Sequence, residues 1–172
     1  TGNVDYTLDA NHVVDHLSKA FCGEGQHLYV PAVVSHAQTK RTLMKEDSIR
    51  QIMNAYDHLN VALVGIGTAD NTSSAFRSGY YSDEMKQQAI KDQVCGDICM
   101  HLFDKEGRTD RFPYNKQIVG VNLNKLKKVP YVIGIANGVR KAEAIRGAIK
   151  GGYINVLVTD AQCGEALIRL ND

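Results

Sequence analysis

The sequence has no tryptophan and only three prolines in 172 residues. Its four cysteines, Cys22, Cys95, Cys99 and Cys163, form no disulfide framework, and Cys95-x-x-x-Cys99 lacks the spacing of a zinc-binding pair. Free thiols in a reducing cytoplasm are expected. Neither sign of charge dominates: 20 Lys and Arg stand against 19 Asp and Glu, for a net charge of +1. A free-standing nucleic-acid binder needs a basic stripe, so this chain is not expected to bind DNA by itself. No apolar run is long enough to span a bilayer, and there is no secretory signal, so no membrane association is expected.

Motifs for covalent and metal chemistry are also missing. Gly65-x-Gly67 lacks the third glycine of a dinucleotide fingerprint, and no Gly-Lys-Ser/Thr of a P-loop follows. Ser73 and Ser74 are outside any nucleophile-elbow context. The six histidines show no metal spacing; His12 and His16, four apart on an expected helix, read as a surface pair sooner than as metal ligands. No cofactor is implied. Binding is therefore better supported than catalysis. The chain opens on Thr1 without an initiator Met, and it is expected to be part of a longer protein, incomplete at the N-terminus.

What is present is an ordinary globular composition, 44% apolar and 23% charged, enough for one domain over residues 1–172. The organising stretch is 129–160. Val129-Pro-Tyr-Val-Ile-Gly-Ile-Ala136 is a short apolar run, Asn137-Gly138 is a turn signal, and from Lys141 the period changes. Ala142, Ile145, Ala148 and Ile149 share a helical face, Gly151-Gly152 ends the helix, and a buried strand is expected at 154–159. This is a β-α-β unit, the building block of parallel sheets. A ligand is expected where the first strand ends and the helix begins, beside Arg140 and Lys141. An anion site and a solvated basic first turn are both compatible with that spacing.

Elsewhere, residues 9–21 predict an amphipathic helix with Val13, Val14, Leu17 and Phe21 inward and Asp9 or Asn11 as cap. Residues 27–34 read as a strand weakened by Pro31. Residues 42–58 predict one helix or two short ones, and 60–67, apolar on both faces, an interior parallel strand. A polar loop follows, then a helix opened by Ser82 and running to about Gln93. Gly96-Asp97 interrupts the apolar run 94–103, where Asp97 caps a helix from Ile98 or faces a ligand. A short strand at 118–122, a short helix at 123–129 and a final helix at 164–170 complete an α/β chain with a mostly parallel sheet. Strand ends meet at one edge of such a sheet, so Gly65-x-Gly67 with Arg77, Gly96-Asp97 and Gly138-x-x-Lys141 can converge. Cations there would hold phosphate and a carboxylate would accept hydroxyl hydrogen bonds. Arg77 reads equally as a surface salt-bridge partner.

Several motifs in order carry a family resemblance: Val61-Ala-Leu-Val-Gly-Ile-Gly67; Arg77-Ser-Gly-Tyr80 with Ser82; Gly96-Asp97-Ile98; Phe103-Asp104-x-x-Gly107; Ile118-Val-Gly-Val121; Val132-Ile-Gly-Ile-Ala-x-Gly-x-x-Lys-Ala-x-Ala-Ile145; and Gly151-Gly-x-Ile-x-Val-Leu-Val-Thr-Asp160. Together they resemble the sugar-binding effector domain of SorC/DeoR-type bacterial transcriptional regulators over nearly the whole chain. The resemblance implies a Rossmann-like fold similar to glucosamine-6-phosphate deaminase and ribose-5-phosphate isomerase. It implies a phosphorylated sugar as effector, a homo-oligomer (dimer or tetramer) and a protein that is not an enzyme. By motif position, Lys141 and Arg77 would contact phosphate or nearby oxygens and Asp97 would contact the effector. Asp9 would fall where some members place a polar ligand, although the family often has Gln there. Operator DNA would be reached only through an N-terminal helix-turn-helix domain. That domain, like the family's first strands and phosphate loop, is not in this sequence. The alternative is a sugar-phosphate isomerase or deaminase on the same fold, for which Asp97 is the sole candidate base.

Overall fold

The structure is a computed structural model that describes residues 10–70, 73–77 and 79–170. Its centre is a three-stranded parallel sheet in the order β1-β5-β6, built from β1 (Val61–Gly65), β5 (Tyr131–Ile135) and β6 (Val156–Val158). Val61 pairs with Tyr131, and Ile133 with Val156. A second, antiparallel sheet joins β2 (Gly67–Thr68), β3 (Gly96–Ile98) and β4 (His101–Phe103) in that order. The helices are α1 (Ala10–Ala20), α2 (Ala37–Leu43), α3 (Asp47–Ala55), α4 (Ser74–Arg77), α5 (Asp83–Lys91), α6 (Leu123–Leu126), α7 (Ala142–Lys150) and α8 (Ala161–Arg169).

The α/β class and the β-α-β unit are as expected. The Val139–Lys141 turn is 3-10 and leads into α7, whose buried face is Ala142, Ala144, Ile145, Gly147 and Ala148. Ile149, expected on that face, is half exposed. These residues join Val64, Ile66, Val132 and Ile154 in the main core. Phe103 enters the same core from β4. The loop after it is held by Asp104, whose Oδ1 accepts from the Glu106 and Arg108 amides at 2.9 Å and whose Oδ2 accepts from Arg108 Nε at 2.8 Å. Gly107 in that loop has φ 75° and lies so close to Gly151 that a Cβ would overlap its backbone. The Asp104-x-x-Gly107 motif thus docks β4 on the end of α7.

Several expectations need correction. The run 60–67 is not one interior strand. It ends at Gly65, passes through fully buried Ile66 and re-enters the antiparallel sheet at Gly67. Among the described strands β1 is at an edge, and only one of its faces is covered. Ala62 and Val64 point inward, while Val61 and Leu63 are half exposed, as are Tyr131 and Ile135 of β5 and Val158 of β6. A continuous apolar run cannot reveal which face is covered, because both faces read alike. Residues 27–34 and 118–122 form no strand among the described residues; Val33 and Ile118 make a single antiparallel bridge, as Pro31 limits pairing. Helix α1 forms, but none of its residues is buried, and Val13 and Phe21 are exposed. Asn11 lies inside it, with Oδ1 3.2 Å from His27 Nδ1, and is not its cap. The region 42–58 holds the end of α2, α3 and a 3-10 turn, the longer of the readings in helix count. Ser82 caps α5 as expected, its Oγ accepting from the Met85 amide at 3.3 Å. The last helix begins earlier than expected, at Ala161, because Asp160 caps it through the Cys163 amide at 2.9 Å.

Candidate functional site

The two sheets meet at Ile66, and the polar groups gather there. Asp97 is in β3, directly opposite Gly67 of β2. It does not cap a helix: the chain turns back after Ile98 through Cys99 and Met100, which have φ 49° and 66°. Two consecutive left-handed residues make a tight two-residue hairpin, normally the work of Asn-Gly. With Cys-Met in those places the turn is strained, at about 1–3 kcal/mol per residue.

The Asp97 carboxylate is only 6% exposed, and its Oδ1 has no hydrogen-bond partner. Ser73 is 7% exposed, and its Oγ is also unpartnered. Both oxygens converge over Gly67. A Cβ at position 67 would overlap Asp97 Oδ1 and lie 3.3 Å from Ser73 Oγ. Gly67 therefore keeps open a small polar space between strand and loop. Burial pushes the Asp97 pKa up to about 6, against the opposing pull of the Lys141 ammonium and a hydrogen bond from the Met100 amide. An orphaned carboxylate oxygen in a dry position is costly unless something donates to it.

Lys141 reaches this junction from the parallel sheet. Its Nζ donates to the Ile66 carbonyl at 2.7 Å, which places the ammonium beside the chain crossing between sheets. Lys141 and Asp97 are thus brought together as expected. The other residues are not. Arg77, on α4, is exposed, and its guanidinium has no partner among the described residues. Asp9 is outside the described residues. Arg140 lines a separate groove of about 450 Å³, together with Glu143, Ala166 and Arg169. The glycine turn before the helix is not left open either: the Gly138 amide donates to Asp160 Oδ2 at 2.5 Å. Ser73 as a polar contact, the Ile66 carbonyl and the role of Gly67 were not read from sequence. The one available signal was Gly65-x-Gly67 before a Ser/Thr-rich loop. Among the described residues no group of His, Cys, Asp or Glu could hold a metal ion, and no helix is long and apolar enough to cross a membrane.

A parallel β-α-β core, a short antiparallel sheet beside it and a polar junction between them define a ligand-binding domain of α/β class. Comparison with known proteins specifies it. The family model described as "Putative sugar-binding domain" matches residues 1–169, and the chain belongs to this family, the sugar-binding domain of SorC/DeoR-type transcriptional regulators. It is 34% identical to the deoxyribonucleoside regulator of Bacillus subtilis over 151 residues, covering 88% of this chain and 48% of that protein. It is 37% identical to the transcriptional regulator LsrR of Escherichia coli K12 over 142 residues, covering 81% of this chain and 45% of that protein. Among solved structures, the full-length sorbitol operon regulator SorC of Klebsiella pneumoniae superposes with a TM-score of 0.89 at 28% identity, covering 96% of this chain and 54% of that one. A DeoR family regulator from Listeria monocytogenes gives 0.87 at 29% identity, covering 93% and 65%. The chain spans about half the length of the curated relatives it matches. Those relatives are named transcriptional regulators, not enzymes.

Proposed function

We propose that residues 1–172 act as one effector-sensing unit that binds a phosphorylated sugar at the junction of the two sheets, and that binding modulates a regulator's hold on DNA. The observation that carries this reading is the buried Asp97 Oδ1 without a donor, facing Ser73 across Gly67. A sugar hydroxyl donates to a carboxylate, and a serine hydroxyl can donate or accept, so a polyol satisfies both. Lys141 supplies the cation for phosphate or an adjacent oxygen, exchanging its bond to the Ile66 carbonyl for a charge-assisted one. Arg77, exposed at the end of α4, and Asp9 are kept as candidate polar contacts. DNA contact is assigned to another part of the protein, and a homo-oligomer is the assembly through which ligand acts. For the ligand to switch anything, it must bind two states of that assembly unequally.

Calorimetric titration with a panel of pentose and hexose phosphates, alongside the unphosphorylated sugars, tests the reading. One phosphosugar is expected to bind, its unphosphorylated form much more weakly. Lys141→Ala is expected to lower affinity by about one to two orders of magnitude, since a charge-assisted bond contributes roughly 1.5–3 kcal/mol. Equal affinity for sugar and phosphosugar, or no effect of Lys141→Ala, would remove phosphate from the proposal.

A further inference from the structure

The strained turn that carries Asp97 is held by side chains from elsewhere. Tyr81, only 2% exposed, donates its hydroxyl to the Met100 carbonyl at 2.6 Å. His101 Nδ1 lies 3.0 Å from the Cys99 carbonyl. Burial holds His101 neutral with a pKa lowered to about 4, so its ring serves as an uncharged donor. Each of the two carbonyls at the tip of the hairpin therefore has its own side-chain clamp. The peptide between Cys99 and Met100 is the one whose N–H reaches the Asp97 carboxylate. The Tyr81 ring packs against Phe76 with centroids 5.0 Å apart, and Phe76 immediately precedes Arg77 on α4. Tyr81 thus touches the loop that carries Ser73 and Arg77 and the turn that aims Met100 at Asp97.

We propose that Tyr81 is a positioning residue for the Asp97 carboxylate: its hydroxyl locks the Cys99–Met100 turn so that the Met100 amide holds Asp97 in place, with no contact to ligand. The proposal rests on the sugar-binding reading only for its consequence, that effector affinity passes through this clamp. The geometry of the clamp is independent of any ligand. Loss of the hydroxyl leaves the half-buried Met100 carbonyl without its side-chain donor and frees two left-handed residues to relax. The Met100 amide then moves off the carboxylate, and the charged form of Asp97 loses its hydrogen bond. The titratable groups that face Asp97 are Lys141, Cys99 and Tyr81 itself. Cys99 is pushed up to about 12 and Tyr81 is also pushed up, both by burial first and by the Asp97 charge second, so neither changes charge near neutral pH.

The test is an NMR titration of the Asp97 side-chain carboxyl in the ligand-free protein, for the wild type, Tyr81→Phe and Phe76→Leu. In the wild type the midpoint is expected near pH 6. Tyr81→Phe is expected to raise it by roughly half a unit to one unit, a three- to tenfold loss of the ionised form below the midpoint. Phe76→Leu, which loosens the same cluster but keeps the hydroxyl, should leave the midpoint in place; this separates clamping from general destabilisation. Superimposable titrations for the wild type and Tyr81→Phe would overturn the proposal. So would an equal shift in both variants. If Tyr81→Phe moves the midpoint yet Asp97→Asn binds phosphosugars as well as the wild type, the clamp stands and the sugar-binding reading of Asp97 falls.

Discussion

The parallel and antiparallel sheets meet at one residue, Ile66, and differ in almost everything else. The parallel sheet is made of apolar strands, and its polar contribution to the junction is Lys141, held at the end of a short turn. The antiparallel sheet is made of strands two and three residues long, buried almost throughout, and it carries a carboxylate with one unpartnered oxygen and a strained turn. The first is scaffold, stable by burial of Val64, Val132 and Ile145. The second, on the proposed reading, gives up stability to hold a polar group for a ligand. Such a division is expected where binding is built on a rigid frame.

Two glycines two residues apart sharpen the comparison. Gly65, on the parallel side, has nothing within 4 Å of an added Cβ, whereas Gly67 would drive a Cβ into the Asp97 carboxylate. Gly67→Ala should therefore cost about 2–3 kcal/mol in urea unfolding and abolish sugar binding, and Gly65→Ala should be nearly neutral in both. Equal effects would mean that the carboxylate has room to move aside. A smaller change is expected in the turn. The double substitution Cys99→Asn with Met100→Gly supplies the residues that this hairpin geometry favours, and should stabilise the fold by about 1–2 kcal/mol. A destabilised double variant would show that the left-handed pair is not a source of strain. The smallest effect belongs to the bare face of the parallel sheet. Leu63 is half exposed, so Leu63→Thr should shift stability by no more than about 0.5 kcal/mol in the same chain, against about 1–3 kcal/mol for Val132→Ala on the covered face.

The same division governs how far the sequence could be read. The β-α-β unit was legible because its helix is long enough to show a period, because Asn137-Gly138 marks the turn before it, and because Gly151-Gly152 marks the stop. Lys141 followed from its place in that unit. The antiparallel sheet was not legible. Three-residue strands show no alternation, and Cys99-Met100 is no turn signal, since the turn is imposed by Tyr81 and His101 from outside it. In its local sequence Asp97 drew attention only as a charge interrupting an apolar run, which fits a helix cap as well as a ligand contact; its motif position alone favoured the ligand. The split of 60–67 at Ile66 was hidden because Ile66 is as apolar as its neighbours on either side. Ser73 was one serine among many in a polar loop, and nothing local distinguishes the one that is buried.

The central claim is that Asp97 is kept buried, with one carboxylate oxygen unpartnered, for the sake of a ligand, and one substitution tests it most directly. The pKa of Asp97 in the folded protein, about 6, is above its ordinary value of 3.8. The folded state thus holds this proton more tightly than the unfolded state, and the group's unfavourable contribution is full above pH 6 and disappears as pH falls below about 4. A shift of this size corresponds to a cost on the order of 2–3 kcal/mol at neutral pH. Asp97→Asn removes the charge. Thermal melts of the wild type and Asp97→Asn at pH 7.5 and pH 4, with calorimetry against the phosphosugar panel on the same samples, make the measurement. The account predicts a variant that is more stable than the wild type at pH 7.5, no more stable at pH 4, and unable to bind the sugar. A variant that binds as well as the wild type, or that is less stable at neutral pH, would contradict it.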